Sequence, residues 1–187
     1  MTLPPERGDT GVDTDKLKLN VLNLCSRIEG KKAIVIEDLK TGEAVEINRD
    51  EVFPAASLIK VPVLSALFRM AKESQIALDE RKELEKDSRI GGFGILKDLG
   101  DGLNPSVRDL AVLMITLSDN IAANLLIDRI GMSQINSELQ AMGMKHTVLQ
   151  RKMMDSQAKE RGLDNYTSAG DMQKLMKAIL ESSFRGD

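Results

Sequence analysis

A serine and a lysine three positions apart, Ser57 and Lys60, lie in the almost wholly apolar stretch 53–64. Positions i and i+3 share one face of a helix, so the two side chains can meet. The residues that follow carry no polar stripe, which is typical of a helix buried on all sides, and we expect this helix to run to about residue 77. Burial favours the neutral form of a lysine, and a neutral amine can activate a neighbouring hydroxyl. The spacing therefore predicts a covalent nucleophile at Ser57 with Lys60 as its base.

A second polar group, Ser118-Asp119-Asn120, directly follows another apolar helical pattern. The Ser118 hydroxyl could pass a proton between Lys60 and a leaving group, and the Asn120 amide could hold a substrate carbonyl. Taken alone, such residues more often cap the end of a helix. Because both groups occur in one chain and in this order, we favour the catalytic interpretation.

Composition excludes several other classes of protein. The 187 residues suit one domain with a sizeable core, and a net charge of −3 with interspersed signs argues against a nucleic-acid partner. One cysteine, Cys25, allows no intrachain disulfide and is expected in the core, while a single histidine, His146, argues against a zinc site or a Ser-His-Asp triad. No apolar run approaches the ~20 residues of a membrane span. Residues 1–9 lack the apolar core of a signal peptide, and the sequence does not decide between an intracellular protein and a mature or trimmed form of an exported one.

The elements around these motifs predict an α+β fold. Residues 1–14 are polar and rich in Pro and Gly, and we expect a flexible N-terminal arm followed by a single domain over 15–187. Thr14 is expected to cap a first helix, and strands at 33–36 and 44–48 form a hairpin. Along this first helix, apolar residues recur at helical spacing: Leu17, Val21, Leu24 and Ile28. Two strands alone make a marginal sheet with an open edge, so the sheet looks incomplete.

Further helices are predicted along the rest of the chain. The charged residues 79–87 suggest a solvated helix face, and Ser106 and Asp109 have the spacing of a capping box. The helix that these two residues open is expected to bury Val107, Leu110, Met114 and Leu117. Helices over 122–129 and 132–142 and a last one capped by Ser168 complete the pattern.

Residues 53–64 and 117–126 resemble the first two motifs of class A β-lactamases and related penicillin-binding serine hydrolases. The similarity extends from about Leu17 to the last helix. It implies a β-lactamase/transpeptidase-like fold, with a helical lobe and an antiparallel sheet, that needs no cofactor or metal. By this resemblance Ser57 attacks a β-lactam, acyl-peptide or ester carbonyl and forms an acyl-enzyme, while Lys60 and Ser118 handle the proton.

The resemblance also implies roles in substrate binding. Asn120 would orient the acyl side chain, and Phe93 would place an aromatic ring at the pocket mouth. The oxyanion hole would use the Ser57 N–H and a second N–H from a later strand.

The sequence departs from the class A pattern at the residue that activates water for deacylation. Thr147 to Arg151 resemble the start of the omega loop, and the position of the family's glutamate falls on Met153. A thioether cannot take a proton from water at neutral pH. The nearby carboxylates, Asp155 and Glu160, do not have the required spacing. We therefore expect acylation without efficient hydrolysis, as in family members that lack the glutamate and look more like penicillin-binding proteins.

The family's third motif, Lys-Thr-Gly on a strand after the last helix, is also missing from this chain. Lys40-Thr41-Gly42 lies upstream of the serine and is interpreted as a turn. The chain therefore resembles a family member that lacks the C-terminal strands, or one that another chain completes.

These observations leave three hypotheses. The first is a β-lactamase-like serine hydrolase acylated at Ser57. The second is a penicillin-binding, DD-peptidase-like or esterase-type protein that forms the same kind of acyl-enzyme. The third is a non-catalytic remnant that assembles through its open sheet edge, as a homo-oligomer or by strand complementation.

Overall fold

The computed structural model describes residues 13–184, with side-chain detail through Glu181. Most of the predicted N-terminal arm, residues 1–12, lies outside the described residues. The chain divides into two compact units, Met1–Glu51 and Val52–Asp187. The prediction of a single domain over 15–187 stays a prediction.

The first unit contains helix α1, Thr14–Cys25, and a hairpin of strands β1, Ile34–Glu37, and β2, Ala44–Ile47. Asp13 caps α1 by accepting a 3.0 Å hydrogen bond from the Lys16 N–H, so the prediction of Thr14 as the cap is wrong by one residue. The helix stops at Cys25, which is half-buried, and Ile28 lies beyond it and is exposed.

The turn of this hairpin contains the sequence Lys40-Thr41-Gly42. The Asp38 carboxylate accepts a 2.8 Å hydrogen bond from the Lys40 N–H, as in an Asx turn. Gly42 has φ 76°, a left-handed conformation that glycine adopts without a steric cost. The interpretation of this Lys-Thr-Gly as a turn is therefore confirmed.

The second unit begins its helical part with a single 3₁₀ turn, Ala56–Ile59, that leads into α2, Lys60–Lys72. Pro62 is tolerated in the first turn of α2, where backbone N–H groups have no intrahelical partner. Ile59, Val63 and Leu67 are fully buried. Phe68 and Arg69 are exposed, so the prediction of a helix buried on all sides is wrong toward its C-terminal end. The helix is shorter than expected because Ser74 adopts a left-handed φ of 59° directly after it.

Around α2 pack the helices α3, Val107–Thr116, α4, Asn120–Ile130, and α5, Met132–Ala141. Short α6, Ser156–Glu160, and long α7, Ala169–Phe184, follow. The predicted capping box of Ser106 and Asp109 is present at the start of α3. The prediction that Leu117 is buried is wrong, because α3 ends at Thr116 and the turn that follows leaves Leu117 exposed.

The predicted helix at 79–87 is absent from the structure. The backbone there runs alongside another loop, with hydrogen bonds of 2.9 Å from the Lys82 N–H to the Pro105 carbonyl and from Leu84 to Leu103. Leu84 points into the core despite its charged neighbours. The dense run of charges therefore predicted correctly that most of these side chains are exposed, but the prediction of a helix is wrong.

Strand β3, Val52–Pro54, and strand β4, Tyr166–Ser168, form a second two-stranded antiparallel sheet that the sequence analysis missed. Each strand has three residues, too few to show an alternating pattern. The Ala55 N–H extends the pairing with a 2.7 Å hydrogen bond to the Asn165 carbonyl. The chain just before Ser57 is thus fastened to the chain just before α7. The α+β class is confirmed.

Candidate functional site

The structure brings Ser57, Lys60, Ser118 and Asn120 together in the second unit. The Lys60 ammonium donates to the Ser118 carbonyl at 2.7 Å, to the Asn120 Oδ1 at 2.8 Å and to the Ser118 Oγ at 2.9 Å. Its distance to the Ser57 Oγ is longer, 3.4 Å. The Ser118 hydroxyl lies 2.9 Å from that of Ser57. Two serine hydroxyls and one amine therefore form a continuous chain of contacts that can carry a proton.

Lys60 is the buried member of this group, with 2% of its surface exposed, while Ser57 is open to solvent. Burial lowers the pKa of the Lys60 amine below its ordinary value, and the charge of Asp119 offsets part of that shift. A neutral amine keeps two hydrogens and gains one lone pair. If its two hydrogens are donated to the Ser118 carbonyl and the Asn120 Oδ1, its lone pair can accept a hydrogen bond from a serine hydroxyl.

Left-handed backbone occurs at Ser118 and at the residue before Ser57. Ala56, directly before Ser57, has φ 44°, and Ser118 itself has φ 52°. Residues other than glycine seldom adopt this conformation, which costs about 1–3 kcal/mol and persists only where the surroundings enforce it. At Ser118 it lets the carbonyl and the hydroxyl of one residue both face the Lys60 amine.

Asp119 holds the loop that carries the second motif, a role that the sequence analysis did not assign. Its carboxylate is fully buried and accepts four backbone hydrogen bonds, two at the start of α4 and two from the loop at Ile95 and Leu96. An aspartate at a helix N-cap is a recognisable signal for the first pair. The second pair is long-range and has no signature in the sequence.

We expect Asp119→Ala to destabilise the protein by about 3 kcal/mol or more, because several buried N–H groups lose their acceptor. The measurement is urea unfolding followed by circular dichroism. Asp128→Ala on the same helix is the matched control, since its exposed ion pair with Lys152 predicts a loss below about 1 kcal/mol. Equal losses in both variants would contradict the anchoring role.

The loop at residues 91–94 packs closely against the second motif. A Cβ on Gly92 would lie 2.4 Å from the Asn120 Nδ2, and one on Gly94 would lie 2.3 Å from the Asp119 carboxylate. Phe93 accepts a 3.0 Å hydrogen bond from the Asn120 N–H through its carbonyl, and the residue is 75% exposed. The structure thus places Phe93 beside the site through its backbone, and a contact between its ring and a ligand stays a prediction.

The segment that contains Met153 is tied to α4 by an asparagine. The Met153 N–H donates to the Asn124 Oδ1 at 2.7 Å, and the Asn124 amide donates to the Met153 carbonyl at 3.1 Å. Asn124 lies one turn after Asn120, on the same face of α4. Further along, Arg151 pairs with Asp164 at 2.7 Å, and Asn165 accepts from the Gln150 and Arg151 N–H groups. Sequence reasoning assigned no role to either asparagine.

An open cavity of about 450 Å³ adjoins the two serines. Ser57, Lys60 and Ser118 supply its polar side, and its apolar lining includes Leu58, Val61 and Ile115. The cavity gives a ligand access to the Ser57 hydroxyl.

Comparisons with known proteins identify the family of the chain. The family model described as "Beta-lactamase enzyme family" matches residues 16–185. The chain belongs to this β-lactamase family. A curated relative, β-lactamase BRO-1 of Moraxella catarrhalis, is 31% identical over 104 residues, which are 54% of this chain and 33% of that protein.

Two solved structures extend the likeness to the fold. The β-lactamase of Sphaerobacter thermophilus has a TM-score of 0.80 and 30% identity, covering 88% of this chain and 62% of that one. A mutant of PBP-A, solved as an acyl-enzyme complex with penicillin G, has a TM-score of 0.80 and 32% identity, covering 96% of this chain and 65% of that one. The chain therefore spans a third of the curated relative and less than two thirds of the solved ones. Among residues 13–184, the structure has no helix with both the length and the apolar character to cross a membrane.

Proposed function

We propose that this β-lactamase family member is a serine hydrolase that β-lactams acylate at Ser57. The observation that carries the proposal is the buried Lys60 amine within hydrogen-bonding distance of both serine hydroxyls. A positively charged lysine would donate to these oxygens and could not accept a proton. Its lowered pKa makes the neutral, accepting form reachable nearer neutral pH.

The acylation step follows from the contacts. The Ser57 Oγ attacks the carbonyl carbon of the β-lactam as its proton leaves through Ser118 to Lys60, since both legs of that path are 2.9 Å. The tetrahedral intermediate then collapses, the C–N bond of the ring breaks, and the nitrogen takes a proton back through the same residues. The product is an ester between Ser57 and the opened β-lactam. Asn120, whose Oδ1 is fixed by Lys60, would present its amide N–H to the acyl side chain.

We further propose that this ester is long-lived. Deacylation needs a base that activates water. The resemblance places Met153 at the position of the family's glutamate, and Asp119 is fully buried with both oxygens occupied by backbone N–H groups. The likeness to PBP-A, a mutant of which was solved as a penicillin acyl-enzyme, supports an acylated form that can accumulate.

The test is covalent labelling with a fluorescent penicillin, read by gel and intact mass. We expect one adduct per chain, located on Ser57 by peptide mapping and absent from Ser57→Ala. Ser65→Ala is a matched control, because Ser65 lies on α2 without belonging to the site. Labelling that survives in Ser57→Ala, or no labelling of the unaltered chain at high reagent excess, would overturn the proposal.

A further inference from the structure

Met154 is the exposed neighbour of the buried Met153. It has a left-handed φ of 61°, and its side chain is 56% exposed. Its Sδ and Cγ lie 3.2 and 3.5 Å from the point that a Cβ on Gly92 would occupy. The Asn120 Nδ2 lies 2.4 Å from the same point. The thioether and the amide nitrogen therefore both lie against Gly92, where the lack of a side chain leaves room for them.

The Asn120 amide can donate a further hydrogen bond from its nitrogen. Its oxygen is engaged by Lys60, whereas its nitrogen makes one long contact, 3.4 Å, to the Gly91 carbonyl. A primary amide nitrogen has two hydrogens to donate. Because Met154 and this nitrogen both lie against Gly92, a ligand carbonyl bound by the nitrogen would have Met154 as a near neighbour.

We propose that Met154 forms an apolar wall of the substrate site beside Asn120, and that it selects acylating compounds with an aromatic acyl side chain. The inference rests on the proposed function, since it concerns how a compound that acylates Ser57 is chosen. A thioether is polarizable and flexible, and it makes favourable contacts with aromatic rings. The left-handed backbone at Met154 is conformational strain of the kind that concentrates at ligand sites.

The location of Met154 explains why an exposed methionine is suited to this role. Met153 is fixed on both sides of its backbone by Asn124, and its side chain belongs to the core. Met154 follows with a reversed backbone conformation, so its thioether leaves the core and reaches the loop at Gly92. Substrate would therefore meet a soft apolar surface next to the hydrogen-bonding amide.

The test compares two penicillins that share the side-chain amide but differ in whether that side chain carries an aromatic ring. Penicillin G carries a phenylacetyl group, and 6-acetamidopenicillanic acid carries only acetyl. We expect Met154→Ala and Met154→Gln each to lower the ratio of their acylation rate constants by about 3- to 10-fold, mainly through slower reaction of penicillin G. Both replacements keep a Cβ, so the backbone strain is unchanged, and glutamine also keeps the length of the side chain.

Met176→Ala is the matched control, since Met176 is similarly exposed, at 50%, on α7. We expect it to leave the ratio unchanged. An unchanged ratio in both Met154 variants, with acylation intact, would overturn this inference alone, as would a faster reaction of penicillin G in Met154→Ala. No acylation of the unaltered chain by either compound would overturn the proposed function and this inference with it.

Discussion

Replacing Lys60 by methionine is expected to slow acylation of Ser57 by about 10²- to 10⁴-fold, the contribution of a positioned general base. Methionine fills a similar volume without an amine. Lys60→Arg should be as slow, because a guanidinium keeps the charge and cannot accept a proton. The measurement is the second-order rate of penicillin labelling with folding checked by circular dichroism. Lys145→Met, at an exposed position, should react like the unaltered protein.

The pH dependence of acylation tests independently whether Lys60 is the base. Burial lowers the pKa of Lys60 from 10.5, so the neutral amine forms at a lower pH than for a solvated lysine. The rate should therefore rise with pH and level off below 10.5. Lys60→Met should lose this rise. A rate that falls with increasing pH over this range would contradict a neutral-lysine base.

Ser118→Ala separates the two routes open to the proton. The direct contact between Lys60 and Ser57 is 3.4 Å, longer than either leg through Ser118. If the proton passes through Ser118, this variant should lose most of what Lys60→Met loses, and the double variant should lose little more. Full activity in Ser118→Ala would show that the direct transfer suffices.

Met153→Glu is expected to convert a long-lived acyl-enzyme into one that hydrolyses about 10²- to 10⁴-fold faster, because a carboxylate can take a proton from water. Both backbone hydrogen bonds of residue 153 go to Asn124, on the same face of α4 as Asn120, so the backbone that carries the new carboxylate is fixed. Because the Met153 side chain is buried, the fold of the variant is checked by circular dichroism before the assay. The measurement is loss of the penicillin adduct over time by intact mass spectrometry.

Met153→Gln is the control for this gain of hydrolysis. It has the size and polarity of glutamate but no basic oxygen, and it should leave the adduct as stable as in the unaltered chain. An equal acceleration by glutamine would assign the effect to repacking. Rapid loss of the adduct in the unaltered chain would show that another group already activates water.

The Ser57–Lys60 pair could be predicted because its geometry is local. Three positions of helical chain bring the two side chains together whatever the rest of the fold does. The meeting of this pair with Ser118 and Asn120 depends on tertiary packing, and the sequence indicated it only through the joint occurrence of the two motifs and the resemblance to a family. Assembly through an open sheet edge stays a prediction.

The parts of the site that escaped prediction depend on contacts between distant segments. The hydrogen bonds from the Ile95 and Leu96 N–H groups to the Asp119 carboxylate depend on a loop whose only sequence signal is its glycines. The left-handed conformation of Ala56 is imposed on a residue type that does not favour it. The exposure of Met154 beside Met153 follows from one reversed backbone angle, and two adjacent methionines give no hint of which one faces the core.

The pairing of β3 with β4 affects the order in which the parts of the second unit fold. Val52 lies opposite Ser168, so the strand that precedes Ser57 finds its partner only when nearly all of the second unit has been made. Closing so long a loop has an entropic cost, and contacts of large sequence separation form slowly. Ser57 should therefore reach its final position late in folding, after the helices around α2 have assembled.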